Sequence, residues 1–540
     1  MHRLCQSAAS VFLLCGLPLL ASGQERSALK DALALQETLR DVIKRAQPAV
    51  ASILVSRSDE YRRLTGYEPP ADDPGRLGAF DPKRDLPAST EPDRGWRVGG
   101  RRPFWQRVTD DPVQKYDLSH PNYVPEAFGS GVVIDGEKLL ILTNYHVVLD
   151  ATKIYVRLPG DKGSYADIHA ADPRSDLAVL RLIDEKHSIG VLPQIVFGDG
   201  AAMQKGDLIV TLANPFAAGF REGSPSASWG IVSGLHRRGA SLMSSEEEVP
   251  FTPSKGLLPL RGTLIETDAR LNLGCSGGAL LNLRGEMVGL TTARAAISGS
   301  ETAGGFAMPL DANFKRVIDR LKQGMEVEYG FLGIAAQSGS RGDGLLIGGD
   351  AIRDNSRGGA VTSGSPAARA GLTDGQVIKS INGVPMHEFD DLYLLVGTLQ
   401  AGSEARLEIE GRRDVTRVEL AKSFVPGKII VSKKPTAVRG IRVDYTSVLF
   451  LQSQFNNFRR FMGGGGIQAG VFVREVLPDS PAAKARLKPN EIITQVNGEE
   501  VDSPAEFYKA AQKIAPGTPL ELTLSTSEWN RTTTSTLTIP

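Results

Sequence analysis

Apolar positions fall into distinct regimes along the chain. Near the start, Leu35, Leu39, Val42, Ile43 and Ala46 recur at helical spacing until Pro48 interrupts them, and the run Val50-Ala51-Ser52-Ile53-Leu54-Val55 follows. This predicts a helix packed onto a first β-strand. From Gly129 to about Ala307, short apolar runs alternate with turn residues and no helix-period segment intervenes, the pattern of antiparallel β-barrels. Phe314, Val317, Ile318 and Leu321 then stand at i, i+3, i+4 and i+7, with Gly324 placed as a cap; a closing helix is predicted there. Between the first strand and the barrel pattern, about Ser58 to Phe128, the chain is rich in Pro, Gly, Asp and Arg, with Tyr61, Tyr67, Phe80, Trp96 and Trp105 scattered through it. It reads as a long inserted loop whose aromatics either clamp a neighbouring subunit or pack on their own domain.

The last third repeats itself. Ser365-Pro366-Ala367-Ala368-Arg369-Ala370-Gly371-Leu372, with Val377-Ile378 and Ile381-Asn382-Gly383 after it, returns as Ser480-Pro481-Ala482-Ala483-Lys484-Ala485-Arg486-Leu487, with Ile492-Ile493 and Val496-Asn497-Gly498. Two copies of one domain are implied. In each, Ser-Pro opens a short helix with proline where the missing N–H costs nothing, and Asn-Gly supplies the positive φ angles of a tight hairpin.

Composition changes this picture in three ways. At 540 residues the chain exceeds one hydrophobic core and divides into several domains. Its 62 basic and 62 acidic residues cancel, so no global field draws it to nucleic acid or an anionic membrane. The amino terminus has a basic start, an apolar run through Leu20 and the small residues Ala21, Ser22 and Gly23. That predicts a secretory signal peptide cut near Gly23, the run being short for a bilayer anchor. Cys5 and Cys15 fall inside that signal, leaving Cys275 and no intramolecular disulfide in the mature chain. No later segment reads as membrane-spanning.

The chemistry centres on Glu266 to Leu280, where Gly274-Cys275-Ser276-Gly277-Gly278 sets a serine among glycines before an apolar strand. Glycines let the backbone turn tightly and present a hydroxyl beside free N–H groups. Upstream, Thr143-Asn144-Tyr145-His146 follows the apolar strand Leu139 to Leu142, and Asp172-Pro173-Arg174-Ser175-Asp176 directly precedes the run Leu177 to Leu180. The order His, Asp, Ser is that of the chymotrypsin type. Asp176 is preferred to Asp172 because it abuts the buried strand; Asp172 reads as a turn former.

On these segments the chain resembles the HtrA (Deg) family, from about Glu37 to the C-terminus with the long loop excepted. Gly129-Ser130-Gly131, Asn214-Pro215-Phe216, Gly230-Ile231-Val232-Ser233-Gly234 and Gly305-Phe306-Ala307-Met308-Pro309 match its landmarks in its order. The resemblance implies a mainly β fold. Two perpendicular six-stranded trypsin-like β-barrels would span residues 49–324, with the insert at 58–128, after a signal at 1–23 and a helical segment at 24–48. Two PDZ domains (α+β) would follow at 325–424 and 425–540. It also implies a catalytic triad of His146, Asp176 and Ser276, and an oxyanion hole at Gly274, Cys275 and Ser276. Peptide binding would fall to Tyr329, Gly330, Phe331, Leu332 and Gly333, with Arg439-Gly440-Ile441 as a weaker counterpart in the second copy. The implied activity is a periplasmic or otherwise exported, ATP-independent serine endopeptidase acting on unfolded polypeptides and regulated by peptide C-termini. Homotrimers or larger assemblies of trimers are implied, with no cofactor, no metal and no nucleic acid. The rivals are an inactive peptide-binding scaffold and a regulatory protease for one substrate.

The chain departs from the family pattern at several places. Cys275 stands where asparagine is usual, and Leu273 where proline or arginine is common. Arg270 and Arg294 fall in the loops that would form the specificity pocket, either pointing outward or favouring acidic residues. Arg486 and Asn490 replace Gly371 and Gly375 of the first copy, and arginine takes positive φ poorly, so a different turn is expected there. An excursion from about Ser241 to Gly262 carries Glu246-Glu247-Glu248.

Overall fold

The computed structural model describes residues 18–85, 116–120, 125, 127–160, 162–184, 188–215, 223–237, 263–292, 304–338, 344–348, 359–455, 466–515, 517–528 and 531–539. Residues 1–17 of the proposed signal, Trp96, Trp105, Phe216, Arg294 and the Ser241–Gly262 excursion lie outside these residues.

Helix Pro18–Ala46 carries the predicted stripe onto the barrels and ends as a single turn, Gln47–Ala49, with Pro48 in it. Val42 and Ala46 are buried there. Twelve strands follow as two barrels. β1 (Val50–Ser56), β2 (Ala127–Asp135), β3 (Leu140–Asn144), β4 (Lys153–Leu158), β5 (Lys162–Asp172) and β6 (Leu177–Leu182) run in the order β5-β4-β1-β2-β3-β6. This sheet closes because β5 is long enough to pair with β4 through Lys162–Tyr165 and with β6 through Ala166–Asp172. β7 (Leu208–Ala213), β8 (Ser226–Arg237), β9 (Leu264–Thr267), β10 (Ala279–Asn282), β11 (Met287–Thr292) and β12 (Gly305–Pro309) form the second closed barrel.

One apolar core joins Val42, Val50, Ile141 and Leu180 to Val210, Leu281 and the helix Ala312–Lys322. Full burial of each such side chain contributes about 1.5–3 kcal/mol. That helix buries Phe314, Val317, Ile318 and Leu321, as their spacing predicts. Asp311 caps its start by accepting from Phe314 N–H at 2.9 Å. Gly324, at φ +74°, ends it, with its N–H on Leu321 O and Met325 N–H on Arg320 O, the paired bonds of a Schellman stop.

The insert resolves one alternative in its described part. Tyr61, Phe80 and Leu118 are buried with Leu54 and Tyr165 of the first barrel, so these aromatics pack on their own domain. Lys153 Nζ reaches from β4 to Leu77 O and Gly78 O and tethers the insert between Tyr61 and Phe80.

The two repeats fold alike. Their sheets hold Ala336–Ser338, Leu345–Ile347, Val377–Ile381, Glu404–Ile409 and Thr416–Glu419, then Ile441–Tyr445, Val471–Val476, Ile492–Val496, Leu520–Glu528 and Arg531–Ile539. Ser365 Oγ caps Ala368 N–H and Ser480 Oγ caps Ala483 N–H, both at 3.2 Å. The expectation of a different turn in the second copy is corrected. Arg486 and Asn490 hold φ +65° and +71°, beside +70° and +86° at Gly371 and Gly375. The same pair of bonds closes each turn, Gly371 N–H to Ala368 O with Leu372 N–H to Ala367 O, and Arg486 N–H to Ala483 O with Leu487 N–H to Ala482 O.

Between the repeats the chain returns to the first barrel. Ile430–Val431 pairs antiparallel with Ala171 and Ala170 of β5 as an added strand. Ser432 N–H then donates to His169 O, and Lys433 N–H to Gly324 O. A second tie is ionic: buried Lys422 lies 2.8 Å from both Glu326 and Asp444, and Arg474 meets the same two carboxylates at 2.6 and 3.1 Å.

Candidate active site

Each barrel supplies part of one cleft. His146 stands in the single helical turn Tyr145–Val148 that ends β3, and Asp176 stands one residue before β6. Because β3 and β6 pair with Asn144 opposite Leu177, those two ends meet. His146 Nδ1 lies 2.8 Å from Asp176 Oδ2, and the His146 backbone N–H donates to Asp176 Oδ1 at 3.0 Å. Asn144 Nδ2 donates to Asp176 O at 3.1 Å and contacts Oδ2 at 3.4 Å, while Tyr145 N–H also reaches Asp176 O. The acid is buried and the imidazole partly open.

Ser276 enters from the second barrel on the turn before β10, and His146 Nε2 lies 3.0 Å from its Oγ. Two glycines permit that turn. Gly274 and Gly277 hold φ +93° and +87°, and a Cβ at Gly277 would run into Ser130 O and Thr143 Oγ1. Ser130 of β2 staples the turn to the first barrel. Its Oγ donates to Gly274 O at 2.7 Å and accepts from Asn214 N–H at 2.8 Å, and its own N–H donates to Ser276 O. Thr291 Oγ1 holds Cys275 O at 2.6 Å.

A nucleophile touching a base that is itself oriented by a carboxylate is the arrangement of acyl-transfer catalysis. Comparison with known proteins agrees. Residues 129–290 match the model of the trypsin-like peptidase domain, and 359–410 and 472–525 each match a PDZ domain. The periplasmic pH-dependent serine endoprotease DegQ of Escherichia coli K12 is 30% identical over 411 residues, 75% of this chain and 78% of DegQ. The periplasmic serine endoprotease DegP of the same strain is 33% identical over 390 residues, 71% of each chain.

The chain belongs to the HtrA (Deg) family of trypsin-like serine proteases.

It is thus a serine endopeptidase with two PDZ domains. The HtrA-type protease AlgW with a decapeptide is 23% identical, covering 71% of this chain and 98% of AlgW at a TM-score of 0.44. A serine endoprotease from Yersinia pestis is 21% identical, covering 71% and 98% at 0.42. Among the described residues no helix is long and apolar enough to cross a membrane.

Against the HtrA-derived expectations, Cys275 differs. Its N–H donates to Asn272 O at 3.0 Å, so it is no oxyanion donor; its thiol, pushed up by burial, packs with Ala213 and Leu271. Gly277 N–H and Gly278 N–H are likewise spent, on Thr291 O and Cys275 O. Arg270 is exposed, its N–H on Ser228 Oγ. The segment Tyr329–Gly333 splits. Tyr329 is fully buried against the protease barrel, with its hydroxyl on Asp172. Gly330–Phe331 pairs with Ala421–Lys422, and Leu332 O and Gly333 O accept from Ala367 and Thr362 N–H. Arg439, at φ +51°, turns its guanidinium to Thr518 O and Ile539 O. Sequence reasoning missed Asn144 as a partner of Asp176 and Ser130 as the cross-barrel staple. The Gly-Ser-Gly run carried a signal for the latter, because flanking glycines mark a close approach of backbones.

Proposed function

We propose that the protein is an exported, ATP-independent endopeptidase that degrades unfolded polypeptides, with Ser276, His146 and Asp176 as its triad. The observation that carries the reading is the unbroken chain from Ser276 Oγ through His146 to Asp176, at 3.0 and 2.8 Å. In this reading His146 takes the hydroxyl proton as Ser276 attacks the peptide carbonyl, then delivers it to the leaving amine. Asp176 fixes the imidazole tautomer and stabilises the imidazolium. The N–H groups of Gly274 and Ser276 receive the developing oxyanion, each donor lowering the barrier by on the order of 3 kcal/mol. Water then releases the acyl group.

The first PDZ domain is assigned to peptide C-termini. Ala335 N–H donates to Ala360 O and Ala335 O accepts from Gly348 N–H, so the strand alternation turns the polar groups of Ile334 and Ala336 toward the opposite edge. An extended peptide adds as a strand at such an edge. Proteins named as periplasmic among the relatives and the apolar amino terminus support export, with the signal, domain and trimer boundaries as the family implies.

The test is degradation of an unfolded model protein by the mature chain without ATP, against Ser276→Ala, with peptides of varied C-termini added. Removal of the nucleophile is expected to lower turnover by at least about 10³-fold. Equal behaviour of the two proteins overturns the catalytic assignment in favour of a scaffold.

A further inference from the structure

The loop that carries the catalytic acid is gripped from outside the protease barrels. Asp176 sits at φ +57°, a left-handed conformation that costs a residue with a Cβ some stability, so its neighbours must hold it there. Asp172, buried at the end of β5, accepts from Ser175 N–H at 2.8 Å and from the Tyr329 hydroxyl. Burial raises the Tyr329 phenol well above its ordinary value, which keeps a neutral donor facing this acceptor. Two residues before the acid, the buried Arg174 guanidinium lies between two rings, 4.5 Å from the Tyr329 centroid and 4.7 Å from that of Tyr393. It also donates to Ser423 Oγ at 3.2 Å.

Every outside partner belongs to the first PDZ unit or its lead-in. Tyr329 directly precedes Gly330–Phe331, Tyr393 lies on the helix Phe389–Val396, and Ser423 follows Ala421–Lys422. A turn that only joined two strands would leave its arginine in water, where the cation is cheaply solvated. Here the guanidinium is desolvated and its charge is met by aromatic faces and by Asp172.

We propose that Asp172, Arg174 and Tyr329 are positioning residues for the Asp176–His146 pair, through which the seating of the first PDZ unit sets the carboxylate against the imidazole. The inference rests on the triad reading above. Loosening these contacts leaves Ser276 and its turn in place but lets Asp176 drift from His146. Two signatures follow. Turnover falls with little change in KM, because the substrate cleft is untouched. The acid limb of kcat/KM moves to lower pH, because an imidazolium with a more distant carboxylate releases its proton more easily.

The test uses the full mature chain and a short internally quenched peptide with an amidated C-terminus, which a carboxylate-binding PDZ groove does not hold. Parent, Tyr329→Phe, Tyr393→Leu and Arg174→Met are compared, with thermal melting of each. Arg174→Met is expected to lose about 10-fold or more in kcat. Tyr329→Phe, which keeps the stacked ring and loses only the hydroxyl, is expected to lose a few-fold, with the acid limb displaced in both. If Arg174→Met does not fold, Tyr329→Phe decides alone. A lowered melting temperature with parental kcat and an unmoved acid limb overturns the proposal and leaves a contact of stability only. Parental cleavage that survives Ser276→Ala would instead sink the triad reading, a distinguishable failure.

Discussion

The turn that carries Ser276 depends on one hydroxyl from the other barrel. Ser130 Oγ is the acceptor for Asn214 N–H and the donor to Gly274 O, so Ser130→Ala leaves two buried backbone groups without their partner. Such losses cost about 1–3 kcal/mol each when no replacement is found. The expected outcome is a melting temperature lowered by several degrees and a kcat reduced on the order of 10-fold as Ser276 loosens. Melting curves and steady-state kinetics on the same preparation check both. The meeting of His146, Asp176 and Ser276 was legible in the sequence because each lies within three residues of an apolar strand, and strands deliver their ends to predictable places. Ser130 and Asn144 were not, because their partners are fixed by the packing of one barrel on the other and by a carbonyl direction at Asp176. Cys275 was misread for a related reason: the spacing placed it inside the serine's turn but did not report that its N–H closes that turn on Asn272.

At the level of elements, the repeat told the truth about shape and misled about its tolerance. The second copy keeps the first copy's turn although Arg486 must take φ +65°, because two backbone bonds and buried Leu487 over-determine it. The strain is therefore carried, and it is removable. Arg486→Gly is expected to stabilise the second PDZ unit by about 0.5–1 kcal/mol, the relief of left-handed strain less the greater freedom of unfolded glycine. Denaturant unfolding of the whole chain, followed by exchange of amides in 471–524, measures it; a loss of stability would mean that the arginine side chain makes a compensating contact. Helix Ala312–Lys322 was readable from its stripe and its capping glycine, whereas the two-residue strand Ile430–Val431 was not. A pairing that short, in a stretch of Lys, Pro and Ser, has no period to detect.

Across the whole molecule, that short strand is locked by a histidine. His169 of β5 meets Ser432 Oγ at 2.8 Å through Nδ1 and Lys322 O at 3.2 Å through Nε2, with Arg181 against the ring. Burial, with the Arg181 charge beside it, pushes His169 down to about 4. The folded value lies below the unfolded one near 6.5, so the neutral ring's contribution is complete above pH 6.5 and is lost as pH falls toward 4. The protection of 429–433 against hydrogen exchange, taken relative to the intrinsic rate at each pH, is expected to fall on acidification across that window, and His169→Gln to flatten the dependence; a protection factor that is the same at pH 7 and 4.5 would contradict it. The same strand bears on how the protein is made. Synthesis runs from the amino terminus, so the residues that finish this flank of the first barrel emerge only after an entire PDZ unit has been produced. Until then β5 offers Ala170 and Ala171 as a bare edge, and any extended segment passing nearby competes for it. Folding helpers that shield nascent edges would matter most in that interval, and a chain truncated just after Gly324 would carry the interval permanently.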